Sequence, residues 1–175
     1  MEQHAVEVLL RLIDSCNRSR PHQVIVSICL QILHNISTFK SLVPYIVHIG
    51  QEPKRIATLM HIAQTYYTIK PPTISLSALK ILTLIVRRLQ PAQRKILFAK
   101  NVCKTRTKTK GSSLLASMRA LQQAIQRKCK GKVTTSTIKS RRGKNGRTKA
   151  DETTLVLKRC LRSLSQVVHL AQSHD

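Results

Sequence analysis

Residues 29–36 read CLQILHNI, and residues 78–85 read ALKILTLI. In both segments apolar residues recur three and four positions apart, which is the spacing of one face of an α-helix. At the same offset, residues 8–16 (VLLRLIDSC) align with residues 57–65 (ATLMHIAQT). The chain therefore repeats a helical pattern at an interval of about 50 residues.

This internal repeat predicts an all-α fold. The offset holds three helices and is near the length of armadillo and HEAT repeats, so we expect an armadillo/HEAT-like stack of helical repeats. Chance agreement between amphipathic helices is the alternative. Leu33 and Leu82 occupy matching positions and are expected to be buried. The other matching pairs are Leu10 with Leu59, Ile13 with Ile62, and Ile36 with Ile85.

Apolar residues at helical spacing continue along most of the chain. The expected core faces are formed by Val6, Leu9, Leu10 and Ile13; by Val24, Ile28, Ile32, Leu33 and Ile36; by Ile56, Leu59, Met60 and Ala63; by Leu79, Leu82, Ile85 and Val86; by Leu114, Leu115, Met118, Leu121, Ala124 and Ile125; and by Leu155, Cys160, Leu161, Leu164 and Val168. Prolines 21, 53, 72 and 91 stand where periodic segments begin, a position that proline tolerates. We divide the chain into helical repeats (1–128), a basic flexible linker (129–150) and a C-terminal helix (151–175) that packs back.

The net charge of +24 is extreme for 175 residues and is unevenly placed. No acidic residue occurs between positions 53 and 150. A surface of one sign attracts polyanions such as nucleic acid, anionic lipid or acidic protein tails. The hydrophobic fraction of 42% supplies a core, and the aromatic fraction of 3% makes that core aliphatic.

Signals for catalysis and metal binding are weak. The few acidic residues form no pair suited to acid–base chemistry, and the phosphate-binding loop pattern is absent. The five cysteines at 16, 29, 103, 129 and 160 lack metal-ligand spacing, so reduced thiols are expected, with no disulfide framework and no zinc. We therefore predict no enzyme, no cofactor and no small-molecule substrate. No apolar run reaches the length of a membrane span, and no secretory signal is expected.

The strongest chemical feature is the basic run at residues 130–149, KGKVTTSTIKSRRGKNGRTK. It has too few apolar residues to fold alone, so we interpret it as disordered. A solvated linker is one reading, and contact with a polyanion is the other. The candidate polyanion-binding residues are Lys104, Arg106, Lys108, Lys110, Lys139, Arg141, Arg142, Lys144, Arg147 and Lys149. Aromatic residues for base stacking are missing from both basic segments, which argues against recognition of single-stranded nucleic acid.

The repeat region resembles a known family. The pattern CLQ-I-L-x-N-[IL]-S is formed by Cys29, Leu30, Gln31, Ile32, Leu33, Asn35, Ile36 and Ser37, and a later helix ends in QTYY. Over roughly residues 5–128 this is similar to the C-terminal part of the abnormal spindle family. The resemblance implies organisation of microtubule minus ends at spindle poles, with tubulin and spindle-pole proteins as partners. It implies a cytoplasmic, cytoskeletal location at the spindle pole, with the nucleus as an alternative.

The family's microtubule-binding, calponin-homology and repeated IQ regions do not appear as complete units, so we expect a terminal fragment or short form. One partial IQ motif, AIQRKCKGKVT, contains Ile125, Gln126, Lys130 and Gly131. Such helices bind calmodulin through an apolar anchor and a basic flank. Calmodulin binding and a plain basic helix end both remain open.

The function predicted from these features is that of a non-enzymatic microtubule-associated scaffold acting in mitotic spindle organisation. General nucleic-acid binding is the alternative from another class, and a purely structural cap is a third.

Overall fold

The computed structural model describes residues 3–42, 45, 52–99, 114–133 and 149–172. Within these ranges the chain forms α-helices and a short 3-10 turn at Lys40–Leu42, with no strand, which confirms the all-α prediction. The helices are α1 (Gln3–Ser15), α2 (Arg20–Thr38), α3 (Pro53–Tyr66), α4 (Thr73–Arg88), α5 (Pro91–Ala99), α6 (Leu114–Val133) and α7 (Lys149–Gln172).

Prolines mark the helix starts, as expected. Pro21 lies in the first turn of α2, Pro53 and Pro91 are the first residues of α3 and α5, and Pro72 directly precedes α4. The first backbone N–H groups of a helix have no intrahelical acceptor. Proline, which has no N–H, therefore removes no helical hydrogen bond at these positions.

Helix α4 lies at the centre of the molecule. It packs against α3, its neighbour in sequence, and against α2 and α7. Helix α1 packs on α2 and touches α3, while α7 also packs against α6. Residues from all of these helices and from α5 join a single hydrophobic core. The C-terminal helix therefore packs back onto the repeat region and completes its core.

The repeat positions are buried as their alignment predicts. Leu33 is 2% exposed and Leu82 is fully buried. Leu10 and Leu59 are also buried core residues. Ile36 is only partly buried, whereas Ile85, its counterpart in α4, is fully buried.

The expected core face of α2 is wrong in part. Val24, Ile28 and Ile32 are 59%, 53% and 42% exposed. The buried face is instead formed by Val26, Cys29, Leu30, Leu33 and Ser37. Two neighbouring stripes of α2 are apolar, and helical periodicity alone does not say which of them meets the core.

The ends of the last two helices differ from the expected boundaries. Helix α6 continues through Val133, so residues 129–133 are helical where a linker was expected. Helix α7 begins at Lys149, within the segment assigned to the linker. Cys129 extends the apolar face of α6 by one more turn after Ile125, which favours continued helix. None of the helices in the described ranges combines the length and apolar character that a bilayer crossing requires.

Candidate polyanion interface

Most of the basic residues singled out in the sequence lie outside the described part of the chain. They are Lys104, Arg106, Lys108 and Lys110 before α6, and Lys139, Arg141, Arg142, Lys144 and Arg147 after it. Lys149 is the first residue of α7. Within the described residues, the charges that could contact a polyanion are those on the helices.

The partial IQ motif does not present its apolar anchor on the surface. Ile125 is fully buried and belongs to the hydrophobic core, while Gln126 is exposed. Lys130 and Gly131 lie in the last turn of α6. Helix α6 packs into the core through Leu121 and Ile125. The Ile125 side chain would therefore have to leave the core before it could contact calmodulin.

Charge is segregated within the described helices. The ion pairs there all involve two acidic residues near the start of α1 and α3. Glu7 pairs with Arg11 at 2.6 Å and with Arg55 at 3.6 Å, and Glu52 pairs with Arg55 at 2.9 Å. Across the described parts of α4, α6 and α7, exposed arginines such as Arg87, Arg119 and Arg162 have no such partner. These three helices therefore present positive charge on their exposed surfaces.

Two cations, one on α5 and one on α6, have structural roles. Lys128 Nζ donates to the carbonyl oxygens of Tyr67 and Thr68, both at 3.3 Å, and lies 5.3 Å from the centre of the Tyr67 ring. Arg94 donates from Nε to the Leu89 carbonyl at 3.1 Å and from Nη1 to the Leu170 carbonyl at 3.4 Å. These side chains satisfy carbonyls near the ends of α3, α4 and α7, where cations also complement the helix dipole.

A groove of about 450 Å³ lies between α7 and the last turn of α4. Arg87 is the α4 residue at its edge. The residues that line the groove are Arg87, Arg162, Ser165, Gln166, His169 and Leu170. Except for the half-buried Leu170, all are exposed, so the groove is open to solvent. Its lining contains cations and neutral hydrogen-bonding groups, and no carboxylate.

The α7 part of this groove has a signal in the sequence. Positions 162, 165, 166 and 169 are spaced three and four residues apart, so they share one face of α7. Gln122 of α6 donates to the Ser165 hydroxyl at 3.2 Å and helps to fix that face. The contribution of Arg87 depends on the packing of α4 against α7, which no local pattern reveals.

The described thiols are free and are placed for packing. Cys16, Cys29, Cys129 and Cys160 form no disulfide, and no group of three potential metal ligands occurs in the described ranges. Burial raises the pKa of the Cys160 thiol to about 11, although a hydrogen bond with Ser75 opposes the shift. Burial also raises the pKa of Cys29. A thiol that stays protonated is a poor nucleophile and a poor metal ligand.

Comparison with protein-family models, curated proteins and solved structures finds no match for this chain.

Proposed function

We propose that the chain is a non-enzymatic, microtubule-associated scaffold fragment that acts in mitotic spindle organisation. Its basic segments bind the acidic surface of tubulin, and its helices bind spindle-pole proteins. The proposal places it in the cytoplasm on the cytoskeleton at the spindle pole, with the nucleus as the second location. Calmodulin is a further partner only if α6 releases Ile125 from the core.

The uneven distribution of charge carries this proposal. The chain has a net charge of +24, and the ion pairs among the described residues gather around Glu7 and Glu52. The rest of the folded surface therefore keeps its positive charge for an external partner. Tubulin offers acidic tails, and binding through many exposed charges tolerates variation in the sequence of the partner.

The helical packing supports a scaffold role. We propose that α1 with α2, and α3 with α4, form two armadillo/HEAT-like repeats. Equivalent leucines at positions 33 and 82 are buried, and α2 packs directly on α4. Stacked helical pairs of this kind form extended surfaces that suit protein binding.

Co-sedimentation with microtubules tests the proposal. One variant replaces Lys139, Arg141, Arg142, Lys144, Arg147 and Lys149 by Gln. We expect it to bind less tightly than the parent chain, and we expect protease removal of the acidic tubulin tails to weaken the parent in the same way. Binding should also fall steeply as salt rises, because the screening length is only about 8 Å at physiological salt.

A charge-matched control separates this segment from bulk charge. It replaces six exposed helical cations, Lys54, Lys80, Arg119, Arg127, Lys158 and Arg159, by Gln. An equal loss of binding in both variants would show that position is irrelevant. Unchanged sedimentation after both tail removal and the first substitution would refute tubulin binding. Tighter binding to RNA than to microtubules would favour the alternative, general nucleic-acid binding.

A further inference from the structure

The groove between α4 and α7 has the features of a binding site with its own specificity. Arg87, Arg162 and His169 are among the residues that line this groove of about 450 Å³. A guanidinium presents N–H donors in a planar fork that matches the two oxygens of a carboxylate. Neither arginine is consumed by an ion pair within the described residues.

The spacing of the groups along α7 indicates an extended ligand, and the two arginines favour one with more than one negative charge. Arg162 and His169 are seven residues apart on α7, which corresponds to about 10 Å along the helix axis. A single phosphate or carboxylate is too small to reach both ends of that row. In an extended peptide, side chains on one face recur about every 6–7 Å, and the flexible side chain of glutamate spans the difference.

The neutral groups in the groove favour a polypeptide over a nucleic acid. The Gln166 amide can both donate and accept hydrogen bonds, and the Ser165 hydroxyl accepts from Gln122 and has its own proton to donate. Such groups match the alternating N–H and C=O of a peptide backbone. Leu170 and the aliphatic arginine stems add apolar contact. No Phe, Tyr or Trp ring lines the groove to stack on a base.

We propose that this groove binds an extended, glutamate-rich polypeptide segment, with Arg87 and Arg162 pairing to its carboxylates and Gln166 to its backbone. The inference rests on the proposed function in one respect, because the acidic tails of tubulin are segments of this chemistry. It assigns their docking to the folded helices in addition to the basic run.

Fluorescence anisotropy with a labelled peptide of twelve glutamates tests the groove without microtubules. We expect the full chain to bind this peptide, and we expect the double variant Arg87→Gln/Arg162→Gln to bind about 5- to 30-fold more weakly. Gln166→Glu, which keeps both arginines and adds a like charge, should also weaken binding. Circular dichroism of each variant verifies that the exposed substitutions leave the helices intact.

The matched control is Arg119→Gln/Arg127→Gln, which removes two exposed arginines from α6, outside the groove. Its affinity should change less than about 2-fold, as expected for a loss of non-specific attraction alone. Equal losses in the two double variants would overturn the proposal. A larger effect of the groove variant on a single-stranded RNA of equal charge than on the peptide would overturn it as well.

The peptide and microtubule assays can fail independently. Peptide binding that depends on the groove, with no binding to microtubules, would refute the tubulin proposal and leave the groove assignment intact. Microtubule binding that does not change when Arg87 and Arg162 are replaced would refute docking of the tubulin tails in the groove. It would leave the tubulin proposal intact.

Discussion

Helices α2 and α4 carry the same repeat pattern but occupy different surroundings. Ile32 in α2 is 42% exposed, whereas Ile81, at the equivalent position in α4, is 1% exposed. The main helical neighbours of α2 in the described chain are α1 and α4. Helix α4 has three, because α7 packs on it in addition to α2 and α3.

The difference shows that burial at a repeat position depends on neighbours that the repeat does not contain. Leu33 and Leu82 are both buried in the shared hydrophobic core. Ile32 and Ile81 occupy a second apolar stripe, and only the stripe of α4 is enclosed. Substitutions at equivalent positions can therefore test the comparison directly.

The largest effect is expected where the two helices agree. Leu82→Ala and Leu33→Ala should each lower the free energy of unfolding by about 2–5 kcal/mol, because each leaves a cavity in an aliphatic core. Denaturant unfolding followed by circular dichroism measures the change. A variant that melts within a degree or two of the parent would contradict the repeat alignment at that position.

The sharpest contrast is expected at Ile81 and Ile32. Ile81→Ala should cost about 2–5 kcal/mol, whereas Ile32→Ala should cost less than about 1 kcal/mol because much of that side chain already contacts water. The same unfolding experiment applies to both. Equal costs at the two sites would mean that α2 is covered as fully as α4.

A smaller effect is expected at Ser75, a buried polar residue of α4 whose counterpart in α2 is Val26. The Ser75 hydroxyl donates to the Ala63 carbonyl of α3 at 2.8 Å. Ser75→Val should cost about 1–3 kcal/mol, because it removes this bond between helices and leaves polar groups unsatisfied. Thr83→Val is the control, since the Thr83 hydroxyl bonds only the Leu79 carbonyl of its own helix in the described structure. If Thr83→Val lowers the free energy of unfolding as much as Ser75→Val does, the hydrogen bond between helices stabilises the fold no more than a bond within one helix.

The smallest effect is expected from the thiol of Cys160 and depends on pH. Burial raises its pKa from 9.0 to about 11, so the folded protein holds the proton more tightly than the unfolded chain. The stability that this provides is complete below pH 9 and is lost as pH rises towards about 11. The decrease in unfolding free energy between about pH 8 and about pH 10.5 should be smaller in Cys160→Ala than in the parent. An identical decrease in both proteins would show that the thiol is not held in its neutral form.

The sequence predicts the helices better than it predicts their surfaces. The period of the apolar residues and the prolines at helix starts are local features, and the helices form where they indicate. Whether Ile32 or Leu33 is the buried side chain of α2 depends on which helices pack against α2, and the local sequence does not contain that information. The groove at Arg87 was missed for the same reason, because its other residues lie more than 70 positions later in the chain.

The packing of α7 on α4 also sets a time interval during synthesis. Helix α4 ends at Arg88, and α7 begins only at Lys149. At about 5–20 residues per second, the ribosome needs roughly 3–12 seconds to make the residues between them. During that interval the face of α4 that α7 later covers has no partner from its own chain. This face is therefore available to a chaperone, or to another nascent chain, until the last helix has been made.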